Sequence, residues 1–285
     1  MLSKAEVDSI FNVIDESMSL YKRTSLISQF NALSTKEVRL DAHMYNVVKA
    51  SFEYHKKTKG YFDITIFPLL KLWGFGPEGF RYNPTENQVD SVLQFVGLNN
   101  LILKGRYLKK KNKNVSIDLN GIAQGYTVDV IAAFIKKKDI RSFMVEVGGE
   151  IFCYGLKEDG EFYKVAIQHP FSDASKSYKI SLKDKAITTS GSYEKYRVLA
   201  GKPISHHINP QTGYPLTNST LSVTVIANTA MEADALDNYL MYLKPEQAIS
   251  FIEGIPNAEA YIVYSENNTL KELQSSGFNN YIYKL

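Results

Sequence analysis

The sequence predicts an α+β fold. Three observations carry that prediction: apolar residues recur at helical spacing near the start and again late in the chain, alternating apolar runs crowd the middle, and no internal repeat organises the 285 residues. At roughly 150 residues per domain the length allows one large domain or two modest ones, and burying a core is no difficulty. Hydrophobic residues make up 44% and charged residues 22%, which excludes the disordered, collagen-like and coiled-coil classes.

The first helix follows from Val7, Ile10, Phe11, Ile14 and Met18, with Ser3 and Glu6 in a capping-box pattern before them. Acids punctuate that run, so it is an amphipathic helix and not a signal peptide. A second helix is read from Met44, Val47, Val48, Ser51, Phe52 and His55, capped by Asp41 and stopped by Gly60. The aromatic stretch 61–80 holds the only tryptophan and several Gly and Pro breaks, and is expected to be a structured loop.

Val115, Ile117 and Leu119 alternate like a half-buried strand running into Asn120-Gly121, after which Ile122, Tyr126, Val130, Ile131, Phe134 and Ile135 repeat helically. Strands are expected at 143–147, ending in Gly148-Gly149, and around Tyr163, Val165 and Ile167 and Tyr178, Ile180 and Leu182. TTSGSYEKYRV reads as a Ser/Thr/Gly-rich turn. A strand through Leu221, Val223, Val225 and Ala227 leads to the Thr229/Glu232 capping box of a helix over 231–243, stopped by Pro245. A helix over 245–253 and strands around Tyr261 and Val263 and over 281–283 complete the chain. No linker divides it, so residues 1–285 are expected to form a single domain.

Charge points away from nucleic acid. Thirty-three Lys plus Arg stand against 30 Asp plus Glu, and the lysine clusters at 109–113 and 136–138 are short enough to be solvated turns or helix ends. The single cysteine, Cys153, excludes an internal disulfide and any multi-cysteine metal site. No run of 18 apolar residues is present. Walker, Rossmann, HExxH and GxSxG patterns are all missing.

Three constellations could carry chemistry. In VSIDLNGIAQGY, Asp118 arrives just before a glycine and a helix start, where free N–H groups attract anions; an ordinary capped turn has the same form. In ANTAMEADALDNYL, Asp234 and Asn238 stand four apart on one helix face with Asp237 beside them, a set that suits Mg²⁺ or, equally, a solvated polar face. In TTSGSYEKYRV followed by SHHINPQTGYPL, the turn's hydroxyls could bind phosphate oxygens and His206 or His207 could act as a base near neutral pH; in an extended segment the two histidines would point opposite ways, leaving at most one toward a site. Residue types and spacing reach as far as a Mg²⁺ and phosphate site.

Seven blocks in order, SLYKRTSLISQFN, FDITIFPLLKLWGFGP, VSIDLNGIAQGYTVD, VEVGGEIFCYG, TTSGSYEKY, SHHINPQTGYP and SVTVIANTAMEADALDNYL, cover nearly the whole chain and resemble the ApbE family of FAD:protein FMN transferases. The resemblance implies a T-fold-related α+β core with antiparallel or mixed sheets and packed helices, and an FAD cleft between two subregions. It implies a Mg²⁺-dependent enzyme that passes the FMN moiety of FAD to a Thr or Ser hydroxyl of an acceptor protein and releases AMP. Acceptors in the family are flavoprotein subunits of Na⁺-translocating NADH:quinone oxidoreductases and related electron-transport complexes. FAD hydrolysis to FMN and AMP, or FAD binding without catalysis, are the alternatives.

By the same resemblance, Tyr21, Trp73, Gly74, Phe75, Asp118, Gln124 and Ile208 fall at FAD-binding positions. The Gly121 carbonyl and the side chains of Asp234 and Asn238 fall at metal-ligating ones, with His206 as base or phosphate contact. Two positions depart from the family's usual residues: Asn238 stands for threonine and Gln124 for lysine. A Met-Gly-Thr strand normally precedes the first helix, and it and any leader are expected to have been removed from this chain. The family location is periplasmic, often as a lipoprotein held at the membrane surface through that leader.

Overall fold

The structure, a computed structural model, describes residues 2–79, 83–167, 170, 178–192, 196–199 and 202–283. Phe80, at the end of the expected aromatic loop, and positions 193–195 of the SYEKY segment lie outside the described residues. The chain clusters into two compact units. A helical unit comprises Lys4–Ala123 with Tyr196–Thr217, and a sheet unit comprises Met1–Ser3, Gln124–Lys195 and Asn218–Leu285. Among the described residues no helix is long and apolar enough to cross a membrane.

The helical unit opens with α1 (Lys4–Met18), α2 (Leu26–Asn31), β1 (Glu37–Arg39) and α3 (Ala42–Lys57). Asp41 caps α3 as expected, accepting the Met44 N–H at 2.8 Å, and Gly60 follows the helix in the left-handed region at φ 87°. The stretch expected to be a loop contains a 3-10 turn, Ile64–Ile66, and then α4 (Phe67–Leu72). Pro68 lies in the first turn of α4, where its missing N–H costs nothing, and the sequence reading wrongly counted it as a breaker. Next come α5 (Glu86–Leu93), with a complete Thr85/Gln88 capping box, and the hairpin β2 (Leu101–Lys104) and β3 (Tyr107–Lys110), whose second strand also pairs with β1.

Residues 115–119 join no ladder, which corrects the strand expected there. Their polar groups are satisfied otherwise: the Asn31 side chain accepts from the Ile117 N–H at 2.7 Å and donates to the Ile117 carbonyl at 2.8 Å, and the Asp118 N–H donates to the Ile64 carbonyl at 2.8 Å. One side-chain amide thus stands in for a neighbouring strand. Helix α6 (Asn120–Lys137) follows, with a non-helical Gly121 in its first turn.

In the sheet unit β4 (Phe143–Val147) and β5 (Glu150–Tyr154) form a hairpin closed by Gly148 and Gly149, both at positive φ. The hairpin β6 (Tyr163–Ile167) and β7 (Tyr178–Leu182) stands as its own two-stranded sheet, followed by β8 (Lys185–Gly191). Thr188, Thr189, Ser190 and Gly191, read as part of a turn, are therefore strand residues. The chain then enters the helical unit for the hairpin β9 (Tyr196–Leu199) and β10 (Lys202–Ser205) before returning as β11 (Thr220–Ala227), α7 (Ala230–Leu240), α8 (Pro245–Ile252), β12 (Glu259–Glu266) and β13 (Thr269–Gln274).

Six antiparallel strands run in the order β13-β12-β11-β8-β5-β4. Their core includes Cys153, Ile187, Ile226, Tyr261 and Phe278. Two late expectations need correction. Helix α7 ends at Leu240 and not at 243, whereas α8 opens at Pro245 as expected. Residues 281–283 form no strand: Ile282 makes a single bridge to Ile180 of β7.

Candidate active site

Strand β11 delivers the chain to Thr229, whose hydroxyl caps α7 by accepting the Glu232 N–H at 3.2 Å. One helical turn further on stands Asp234, only 3% exposed. Its Oδ2 accepts the Gly125 N–H of α6 at 2.9 Å, and its Oδ1 accepts from Asn238 Nδ2 at 3.1 Å. The same amide nitrogen lies 3.3 Å from Asp237 Oδ1, which also receives the Ser190 hydroxyl at 3.0 Å. Asp234 and Asp237 are buried and Asn238 is half-buried, so the reading of this face as solvated falls away.

Burial without a cationic partner governs the electrostatics. Desolvation pushes the Asp234 carboxyl up to about 7 against the pull of the Gly125 and Asn238 hydrogen bonds, and Asp237 is raised well above the usual carboxylate range by burial and by the charge of Asp234. Among the described residues no lysine or arginine forms an ion pair with either. Two oxygen-rich side chains of this kind, beside an amide, fit a hard divalent cation, whose charge would supply the missing counter-ion. No cluster of three or more His, Cys, Asp or Glu among the described residues is arranged to hold a metal alone. A sparse protein donor set suits Mg²⁺, which commonly keeps water and phosphate oxygens as its remaining ligands.

Helix α6 supports this face. Gly125 packs so tightly that a methyl group there would overlap the Ala230 carbonyl, and Asp129, one turn along, accepts the Ala230 and Met231 N–H groups at 2.8 and 2.9 Å. Desolvation raises the Asp129 carboxyl to about 6 despite those two bonds. Beside Gly125, Gln124 donates to the Val147 carbonyl at 3.1 Å and packs on Gly148 of the β4–β5 turn. Sequence reasoning missed Asp129 and Gly125, and it read Ser190 among hydroxyls for phosphate where the structure has it donating to Asp237. The available signal was the i, i+4 spacing of Gly125 and Asp129 on an otherwise apolar helix.

The helical unit holds most of the other sequence-predicted residues. Trp73 is 4% exposed, and its indole N–H donates to the Gly213 carbonyl at 2.7 Å while its ring lies 5.8 Å from that of Tyr214. Trp73 and Ile208 share one apolar cluster with Leu69 and Val89, and Phe75 packs against it. Gly74 between the two aromatics takes φ 78°, which lets α4 end and the chain turn. The His206 and Phe75 rings meet in an edge-type arrangement with their centroids 6.3 Å apart.

His206 and His207 do not point apart. Their rings lie 4.1 Å from each other, because the chain bends where the His207 N–H donates to Ser205 Oγ at 3.1 Å, and extended alternation is lost. His207 is buried and His206 partly exposed. The Asp118 carboxylate accepts the Asn120 N–H at 2.7 Å at the entry to α6. Gly121 belongs to this unit, at the kinked first turn of α6. Tyr21, between α1 and α2, is 79% exposed.

A sequence model of the ApbE family matches residues 2–262. The chain belongs to the ApbE family. Among its relatives are the FAD:protein FMN transferases of Vibrio cholerae, 34% identical over 99% of this chain and 85% of that protein, and of Escherichia coli K12, 34% identical over 98% of this chain and 81% of that protein. Of solved structures, the flavin transferase ApbE of Vibrio cholerae matches with a TM-score of 0.88 at 32% identity, covering 98% of this chain and 90% of that one. The apo flavinyl transferase ApbE of Pseudomonas stutzeri matches with a TM-score of 0.88 at 30% identity, covering 98% and 87%. The mixed helical and antiparallel-sheet architecture is thus that of the ApbE structures, as the α+β reading expected.

Proposed function

We propose that this chain is a Mg²⁺-dependent FAD:protein FMN transferase. It breaks the pyrophosphate bond of FAD, joins the FMN phosphorus to a Thr or Ser hydroxyl of an acceptor flavoprotein, and releases AMP. The observation that carries the reading is the buried Asp234–Asn238 face of α7, backed by Gly125, in an ApbE chain whose relatives bear that activity in their names. Bound there, Mg²⁺ would neutralise charge developing on the pyrophosphate oxygens.

The chain's own residues would do the rest. Asp234 is the principal metal ligand and Asn238 the second. Phe75, Gly74 and Ile208, around the Trp73 core, would shape the FAD-binding surface of the helical unit, with Tyr21, Asp118 and Gln124 as further FAD contacts. His206, partly exposed beside Phe75, would take the acceptor hydroxyl proton or contact phosphate. Acceptor subunits of Na⁺-translocating NADH:quinone oxidoreductases and a periplasmic, membrane-anchored location belong to the same proposal.

The test is to incubate the protein with FAD and an acceptor domain bearing a flavinylation threonine, with and without Mg²⁺, and to follow AMP and acceptor mass together. Mg²⁺-dependent AMP with an FMN-sized gain on the acceptor supports the transferase. AMP without labelling in the presence of a proven acceptor points to an FAD pyrophosphatase, and intact FAD to a binding protein.

A further inference from the structure

Helices α6 and α7 are joined by a reciprocal exchange of hydrogen bonds. From α6, the Gly125 N–H donates to the Asp234 carboxylate in the second turn of α7. Four residues along the same face, Asp129 accepts the Ala230 and Met231 N–H groups that open α7. The absence of a side chain at Gly125 lets the helices approach to backbone contact at Ala230. Two such attachments one turn apart fix both where α7 begins and how it is rotated about its axis, and rotation decides where the Asp234 oxygens point.

We propose that Asp129 is a positioning residue for Asp234: by seating the first turn of α7 on α6 it holds the Asp234 carboxylate in the orientation that takes up a divalent cation. The inference rests on the reading of Asp234 as the metal ligand. A second cap on the same helix supplies the contrast. Thr229 also stabilises the α7 N-terminus, through Glu232, but it does so without linking α7 to α6.

The geometry separates the two roles. Asn at position 129 keeps one acceptor for an α7 N–H but presents an amide where the second N–H was received, so the helix start must shift. Ala at position 229 removes a cap of similar strength and leaves the α6–α7 exchange in place. Loss of an outer partner that orients a metal ligand typically weakens metal affinity about 10- to 100-fold.

The experiment titrates Mn²⁺ into the full chain, in the absence of FAD, and follows free Mn²⁺ by electron paramagnetic resonance for wild type, Asp129→Asn, Thr229→Ala and Asp234→Asn, each checked for a cooperative unfolding transition. The expected result is Mn²⁺ affinity reduced about 10-fold or more in Asp129→Asn and in Asp234→Asn, and within about twofold of wild type in Thr229→Ala. Wild-type affinity in folded Asp129→Asn, with Asp234→Asn impaired, overturns the positioning role alone. Equal weakening in Asp129→Asn and Thr229→Ala reduces Asp129 to an ordinary helix cap and also overturns it. Undiminished binding in Asp234→Asn overturns the metal assignment itself and the inference with it. Should Asp129→Asn not fold, Gly125→Ala replaces it: it perturbs the same junction from the α6 side, and Mn²⁺ affinity equal to wild type there counts against the proposal.

Discussion

The indole N–H of Trp73 donates to the carbonyl of Gly213 at 2.7 Å, across 140 positions of sequence. The bond pins the loop after His207 to the end of α4; Trp73 belongs to the helical unit's apolar cluster, and Gly213 is buried beside that cluster's Val89 and Leu69. Gly213 itself sits at φ 81°, with no room for a β-carbon beside Val89. Replacing Trp73 with Phe keeps an aromatic ring but strands a buried carbonyl. The expected cost is about 1–3 kcal/mol in urea unfolding followed by circular dichroism; a change under about 0.5 kcal/mol would show that the bond contributes nothing net.

Asn31→Ala should be among the more damaging single changes in the helical unit. It removes both hydrogen bonds to Ile117 and leaves a buried N–H and a buried carbonyl without partners, at about 1–3 kcal/mol each. Asn31→Asp preserves the acceptor and should recover part of the loss. Denaturant midpoints for the two variants check the order.

Asp234→Asn and Asp234→Ala should both abolish Mg²⁺-dependent FAD cleavage. Stability should separate from activity, because the Asn variant keeps an acceptor for the Gly125 N–H while removing a buried charge. In EDTA its unfolding midpoint is expected to equal or exceed that of wild type. A midpoint well below wild type in EDTA contradicts the account of an uncompensated carboxylate.

The metal-free protein should lose stability as pH rises. Asp129 and Asp234 are raised by burial to about 6 and about 7, so their contribution is full below the ordinary carboxylate range, near pH 4, and is lost as pH climbs through those folded values. His55 acts in the same direction: its pKa is raised above 6.5 by the hydrogen bond to Asp63, with Nδ1 and Oδ2 3.3 Å apart, so its contribution is complete below 6.5 and is lost above the raised value. Urea midpoints in EDTA should therefore be higher at pH 5 than at pH 8, and saturating Mg²⁺ should shrink the difference. A midpoint that rises with pH in EDTA would contradict this sign.

Much of this fold could be read from pattern alone, and the failures have physical causes. Helices α1, α3, α6, α7 and α8 and strands β4, β6, β7, β11 and β12 announce themselves through periodicity and caps such as Asp41 and Thr229. Residues 115–119 have strand composition, but a strand needs a partner, and here Asn31, distant in sequence, takes that place with one side chain. Thr188 to Gly191 look like a turn because small hydroxyl residues favour turns; their setting between β5 and β11 overrides that preference. For the site, the i, i+4 spacing marked Asp234 and Asn238. The i, i+4 spacing of Gly125 and Asp129 marked a face of α6 but not what it meets, since that depends on two helices coming together.

The interleaving of the two units bears on how the protein is made. Residues Tyr196–Thr217 belong with Lys4–Ala123, although most of the sheet unit's first half is synthesised between them. A nascent chain emerging from the ribosome therefore exposes Trp73 and its apolar neighbours long before Gly213 and Ile208 arrive to cover them. The segment up to Ala123 is left dependent on late-arriving sequence, and a fragment cut there would be a natural client for chaperones instead of an autonomous domain.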